Sequence, residues 1–441
     1  MKKLALLGGH KVVTSKPGDI FKWPIITAAI EKRVLDVLRR GAMSNTDVTQ
    51  EFEKAYARWY GMKYALGHNT GTAALHSAMF GLKIGHGDEI ICPSITYWAS
   101  CLPVLSLGGT IVFADIDPDT LCIDPKDFER RITRRTKAVV VVHYCGMPCD
   151  MDAIMKIARK HKIAVIEDVS HAHGSLYKGK LTGTFGNVAG FSLMTGKAFA
   201  IGEAGILLTN DRHIYERAIA FGHYERHNQL TFKELKAGAG IPWGGYKYRM
   251  HQLSSAVGIE QMKNYPKQMA EIDKAMNYFW DLLEGVPGIR AHRPRKGSGN
   301  TMGGWYSARG LYHGEELGGL SISRFCEAVR AEGSSASPGC NFILHRHPLL
   351  NSVDVYGEGR PTRLANLPRG MDIRQKLGSL PVSEGIQERV FSIPWFKKYR
   401  PNIIRQYAHA YRKVAENYKS LLAGDKKTKT VSGSAGLSAR R

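Results

Sequence analysis

Between residues 89 and 209 the chain repeats one pattern: short apolar, β-branched runs separated by polar or helical stretches. The runs are Glu89–Cys92, Thr110–Phe113, Lys137–Val142, Ile163–Ile166, Val188–Leu193 and Gly205–Thr209. Several are nearly unbroken in their hydrophobicity, which marks strands covered on both faces. Helical stretches such as Met151–His161 separate some of them. That alternation predicts an α/β domain with a mostly parallel central sheet. Upstream, Asp47–Tyr60 sets Phe52, Ala55 and Trp59 near helical spacing. After Asn69-Thr70-Gly71-Thr72, residues Leu75, Ala78, Met79 and Leu82 fall at i, i+3, i+4 and i+7, so a helix with one apolar face begins there.

The 441 residues suffice for a large and a smaller domain, each with its own core. The reading is a large domain over 1–265, including an N-terminal arm, and a smaller C-terminal α+β domain over 266–423. The helix His251–Tyr265 leads out of the first, and Pro266 marks the change. The tail 424–441 is rich in Lys, Thr, Ser and Gly, has little to bury, and is expected to be disordered. No internal repeat is present. No window approaches the roughly 20 apolar residues of a membrane span. The apolar stretch Leu4–Leu7 is too short for a signal peptide, so the N-terminus reads as an arm.

Seven cysteines, sparse and odd in number, fit buried free thiols in a reducing cytoplasm. Cys145 and Cys149 have three residues between them, not the two usual for zinc or redox pairs, and no metal site is expected. The net charge of +23 raises the question of an anionic partner. Residues 424–441 hold five Lys/Arg and one Asp, which accounts for +4; the remaining +19 is scattered. There is no arginine run with interleaved aromatics and no helix-turn-helix or zinc-finger spacing, so no specific nucleic-acid binding is expected. A basic solvated surface is the first reading and steering of an anionic substrate the second.

Four stretches carry chemistry. In Ile163–Gly174 an apolar strand runs directly into Glu167 and Asp168. Ligands of open α/β sheets sit beyond the carboxyl ends of strands, where Asp168 falls. A carboxylate there can keep a cofactor's pyridine nitrogen protonated; a helix N-cap is the other reading. In Gly190–Gly205 a strand ends in a Ser/Thr/Gly loop that carries Lys197. A lysine beside a cationic cofactor can act as a nucleophilic amine, while a lone loop lysine is more often solvated. Gly67–Leu75 opens a helix on a small loop suited to phosphate. Pro93–Trp98 places aromatics just after a strand, where one could stack on a flat ring or simply pack.

Together these stretches resemble the DegT/StrS-type sugar aminotransferases, within the aspartate-aminotransferase fold, a pyridoxal 5′-phosphate (PLP)-dependent transferase fold of type I. The resemblance runs from about Met43 to Leu422. It includes Phe52-Glu53, Gly87-Asp88-Glu89, Val112–Asp117, Gly146–Asp152, Gly245–Met250, Leu380–Glu384 and Ser392–Trp395. It implies that Lys197 holds PLP as a Schiff base and that Asp168 pairs with the pyridine nitrogen. It sets His171 near the ring's 3-oxygen and Tyr97 stacked on the ring. Gly71, Thr72 and Ser192 match phosphate contacts. It implies a homodimer whose sites each borrow residues from the partner. The family usually has Asn where this chain has Lys247, so Lys247 becomes a point-charge candidate for the partner's phosphate. Glu203-Ala-Gly205 is a smaller departure.

The implied reaction passes an amino group from L-glutamate or L-glutamine to a ketone on a cyclitol or keto sugar. Gly244–Gln252 and Ser170–Gly174 are most similar to members acting on scyllo-inosose-like cyclitols, and nucleotide-linked keto sugars are the alternative. A PLP-dependent dehydratase of the same family would carry His in place of Lys197. A regulator that binds PLP without turnover is the alternative of another class.

Overall fold

The apolar runs become the middle of a seven-stranded sheet. The computed structural model describes residues 3–427 of the chain. In chain order the sheet's strands are β1 (Tyr64–His68), β2 (Glu89–Pro93), β3 (Thr110–Ala114), β4 (Thr136–Val142) and β5 (Ala164–Asp168). A small hairpin, β6 (Leu176–Tyr177) and β7 (Lys180–Leu181), intervenes before β8 (Val188–Ser192) and β9 (Gly205–Thr209). The order across the sheet is β1-β9-β8-β5-β4-β2-β3. Strands β3, β2, β4, β5 and β8 pair in parallel, and β9 is antiparallel to both β8 and β1. Five buried residues in a row in β2, β3 and β9 show that both faces are covered. This is the α/β architecture of fold type I expected from the sequence.

Each expected strand is found, with ends shifted by a residue or two. β1 is the addition. Tyr64-Ala-Leu-Gly-His lacks a β-branched run, and its strand state comes from pairing with β9 rather than from local propensity. Register then sets the geometry of one sheet edge. His68 lies opposite Gly205, Gly205 opposite Ser192, and Asp168 opposite Gly190. The carboxyl ends of β1, β5 and β8 therefore share that edge.

Four further strands form an antiparallel sheet in the order β10-β11-β13-β12: β10 (Ile289–Ala291), β11 (Arg309–Tyr312), β12 (Ser337–Pro338) and β13 (Val390–Ser392). The helices Ile322–Ala331 and Pro401–Glu416 belong to this part. The helix Gln252–Asp281 joins the two sheets and runs through Pro266. We propose 265/266 as a boundary between sheets, made inside one continuous helix.

The N-terminal segment lies against the C-terminal elements. The buried Glu332 carboxylate accepts the amides of Ala5 at 2.8 Å and Val12 at 3.2 Å, and the Lys413 ammonium at 2.9 Å. Of the tail expected to be disordered, residues 428–441 lie outside the described residues. At its start, Asp425 accepts the Ser321 hydroxyl at 2.6 Å and amide at 2.7 Å. All seven cysteines are buried and free. No helix among the described residues is long and apolar enough to cross a membrane.

Candidate active site

Glu167 and Asp168 are consecutive on β5, and strand alternation sends their side chains to opposite faces. Glu167 is wholly structural in its contacts. Its carboxylate accepts His143 Nε2 at 3.0 Å and the amides of Gly183, Phe185 and Gly186 at 2.6, 2.7 and 2.6 Å. Asp168 goes the other way. Its Oδ2 accepts the Ser100 hydroxyl at 2.7 Å and its Oδ1 the Ser170 amide at 3.0 Å. Ser100 Oγ lies 2.8 Å from Thr96 Oγ1, so a short hydroxyl chain fixes the Asp168 carboxylate from the loop after β2. No lysine or arginine pairs with Asp168 among the described residues, which leaves its charge available to a cationic ligand.

The Ser170 hydroxyl accepts the Ser192 amide at 3.0 Å and ties the end of β5 to the end of β8. Against Ser192 stands the start of the helix Gly71–Gly81. A Cβ on Gly71 would lie 2.6 Å from Ser192 Cβ, so only glycine permits this approach. Thr70 caps the helix by accepting the Ala73 amide at 3.0 Å, and Ala74 makes the first intrahelical bond, to the Thr70 carbonyl. The Gly71 and Thr72 amides precede that bond. They are the free donors that a helix start offers an anion, with the helix dipole behind them.

Lys197 is buried in the loop between β8 and β9. Its carbonyl accepts Trp23 Nε1 at 3.0 Å, and its amide bonds the Met194 carbonyl at 2.8 Å. Its ammonium sits 4.2 Å from the centre of the Tyr306 ring, a cation–π contact. The same ring lies 4.7 Å from His171, which also touches Tyr144 at 5.5 Å. His171 Nδ1 accepts the Cys145 amide at 3.3 Å. Burial holds the His171 pKa well below the ordinary histidine value, and the charges of Lys197 and Arg309 push it further down. Its neighbour His173 is also neutral, pushed down to about 3 chiefly by burial.

The sequence-chosen residues divide as follows. Asp168, Ser192 and Gly71, with Thr72 next in the chain, form one connected set. Lys197 and His171 meet across Tyr306. Tyr97 is 42% exposed beside Trp98, and its carbonyl accepts the Ser100 amide at 3.1 Å. The Lys247 ammonium stands apart, 5.7 Å from the Tyr224 ring, although the backbone of residues 247 and 248 bonds Asn69 beside the phosphate loop. Sequence reasoning passed over Ser100, Tyr306, Trp23 and the Cys145 amide. Ser100 carried a weak signal, three residues after Tyr97. Tyr306 and Trp23 carried none, because they reach Lys197 only through the tertiary fold.

A carboxylate, an amine-bearing side chain and a free helix start on one sheet edge suit a ligand with a ring nitrogen, an aldehyde and a phosphate. The sequence pattern of the DegT/DnrJ/EryC1/StrS aminotransferase family matches residues 24–389. The chain is 30% identical over 381 residues to an L-glutamine:2-deoxy-scyllo-inosose aminotransferase of Micromonospora echinospora, covering 84% of this chain and 88% of that protein. It is 38% identical over 245 residues to a GDP-perosamine synthase of Caulobacter vibrioides, covering 55% and 64%. Among solved structures, the aminotransferase of Psychrobacter cryohalolentis superposes with a TM-score of 0.77 at 26% identity, covering 90% of this chain and 99% of that one.

Proposed function

This chain belongs to the DegT/DnrJ/EryC1/StrS aminotransferase family, and on that footing we propose that it passes an amino group from L-glutamate or L-glutamine to a ketone on a scyllo-inosose-like cyclitol. It is a PLP-dependent sugar aminotransferase. When bound, PLP supplies a ring that withdraws electrons from the carbon bearing the amino group. The remaining work falls to side chains.

In this reading Lys197 would hold the cofactor's aldehyde, and its free amine would serve the amino-acid Cα as general base and then general acid. Asp168, oriented by Ser100 and the Ser170 amide, would face the ring nitrogen. Gly71, Thr72 and Ser192 would take the phosphate. Tyr97 would cover the ring face and His171 would bond the 3-oxygen. Lys247 would serve the phosphate of a partner subunit, in a homodimer with shared sites. The observation that carries the proposal is the sharing of one sheet edge by Asp168, Ser192 and the free amides of Gly71 and Thr72.

The cyclitol reading rests on the 30% identity that spans most of both chains with the Micromonospora enzyme. A nucleotide-linked keto sugar is the second reading, favoured by the higher identity over a shorter stretch with GDP-perosamine synthase and by the net charge of +23. The test is an absorbance spectrum of wild type and Lys197→Ala before and after each amino donor. Wild type should show a yellow band that bleaches with one donor, and Lys197→Ala should lack the band. Return of the band with inosose-type ketones, and not with nucleotide-linked ones, supports the first reading. A wild type that stays colourless after added PLP rejects the function. A band that never bleaches supports the non-catalytic regulator.

A further inference from the structure

A ring nitrogen of histidine can donate or accept, and which it does depends on what the other nitrogen is given. His171 and His143 are both addressed by the same turn, residues 143–149, that leaves β4. The Cys149 amide donates to His143 Nδ1 at 3.1 Å, and the Cys145 amide donates to His171 Nδ1 at 3.3 Å. A backbone N–H can only donate, so each Nδ1 must be the bare nitrogen of its ring. For His143 the consequence is visible, since Nε2 then carries the proton and gives it to the Glu167 carboxylate at 3.0 Å.

We propose that the Cys145 amide locks His171 as the neutral Nε2–H tautomer, so that His171 presents a hydrogen-bond donor, never an acceptor, to an anionic oxygen on the cofactor ring. This rests on the PLP reading above and adds what that reading leaves open, the identity of the group His171 offers. Cys145 is a positioning residue here, acting through its backbone.

Three observations support the lock. First, Cys145 adopts φ 54°, ψ 19°, a left-handed conformation that a residue with a Cβ rarely takes. The turn is pinned on both sides. Ser175 Oγ donates to the Gly146 carbonyl at 3.0 Å, and the Gly146 and Met147 amides bond the His143 and Tyr144 carbonyls. Second, among the described residues no group bonds His171 Nε2, and that nitrogen is not among the buried atoms lacking a partner, so it is open to a ligand. Third, nothing around the ring favours a second proton. The groups facing it are the Lys197 ammonium, the Arg309 guanidinium, neutral His173, the Tyr144 and Tyr306 rings and the Cys145 thiol, which burial pushes up to about 11. Among the described residues no carboxylate pairs with the His171 ring. An imidazolium would also lose the Cys145 bond.

The test is a two-bond proton–nitrogen correlation spectrum of the cofactor-free protein carrying nitrogen-15 histidine, with His171→Gln used to assign the resonances. The expected result is a neutral Nε2–H ring from about pH 6 to about pH 8, the range in which an ordinary histidine changes charge. An Nδ1–H ring, or one that gains a proton in that range, overturns the proposal. Cys145→Ala keeps the amide and should leave the spectrum unchanged; a changed tautomer there would mean that the thiol sets it, and would also overturn the proposal. On adding PLP, the Nε2 resonance should move more than Nδ1; the reverse counts against it. The first measurement contains no cofactor and stands or falls separately from the aminotransferase reading, whose failure would show as no yellow band on adding PLP.

Discussion

Two neighbouring carboxylates make the point at the scale of a residue. Glu167 is fully buried, and burial works against its charge, yet the bonds from His143 and from the Gly183 and Gly186 amides prevail and its pKa is lowered. A folded pKa below the unfolded value of about 4.3 means that the contribution is complete above that value and disappears as pH falls through the folded one. Glu167→Ala would leave three amides and a histidine without their acceptor. We expect it to cost about 3–5 kcal/mol at neutral pH, measured by denaturant melts. Glu167→Gln should be less costly and should flatten the acid limb of stability against pH; an acid limb identical to wild type would assign that limb to other groups. Sequence alone singled out the pair, and it also favoured Asp168 from its place at the strand end. It could not show what Glu167 does, because three of its partners are backbone amides of a loop sixteen to nineteen residues away.

At the scale of an element, the helix start at Gly71 is the tightest part of the site. Thr70→Ala removes the cap and is expected to destabilise by about 1 kcal/mol without changing the space at Ser192. Gly71→Ala should act differently, because its Cβ falls 2.6 Å from Ser192 Cβ and must push the helix off β8. We expect PLP affinity to fall at least tenfold, on the order of 1.4 kcal/mol or more, in a fluorescence titration of the cofactor-free protein. Affinity equal to wild type would remove this helix start from the phosphate site. The strands behind it were readable because continuous apolar runs leave few alternatives. β1 was not, since Tyr64–His68 mixes Gly, Ala and His and owes its state to β9. The same limit applies to the site. Asp168 lies on a recognisable strand end and Lys197 in the loop after another, whereas Tyr306 and Trp23 arrive from other elements, and the Cys145 contribution is a backbone amide with no side-chain signature at all.

At the scale of the molecule, the first residues of the chain are tied to its last helices. Glu332 holds the amides of Ala5 and Val12 together with Lys413, and Leu4 is buried. Removing residues 3–13 should cost about 3–6 kcal/mol, from two hydrogen bonds to a charged acceptor. It should leave the yellow band and its bleaching by donor intact; loss of the band at unchanged stability would mean that the segment serves the site instead. The sequence showed this segment only as an arm, because its partners lie more than three hundred residues away.

The helix Gln252–Asp281 carries a practical consequence for anyone who would take the protein apart. The proposed boundary at 265/266 lies midway along a thirty-residue helix. At one end of that helix, the Gln252 side chain accepts the Val48 amide and donates to the Ala42 carbonyl, both at 2.6 Å. At the other, Trp280 is buried beside Phe279. A gene split at the sheet boundary would hand each half a broken rod, and would leave the leading residues on the fragment that lacks their binding partner. Dissection, domain exchange and split reporters built on this scaffold should be cut in a loop instead.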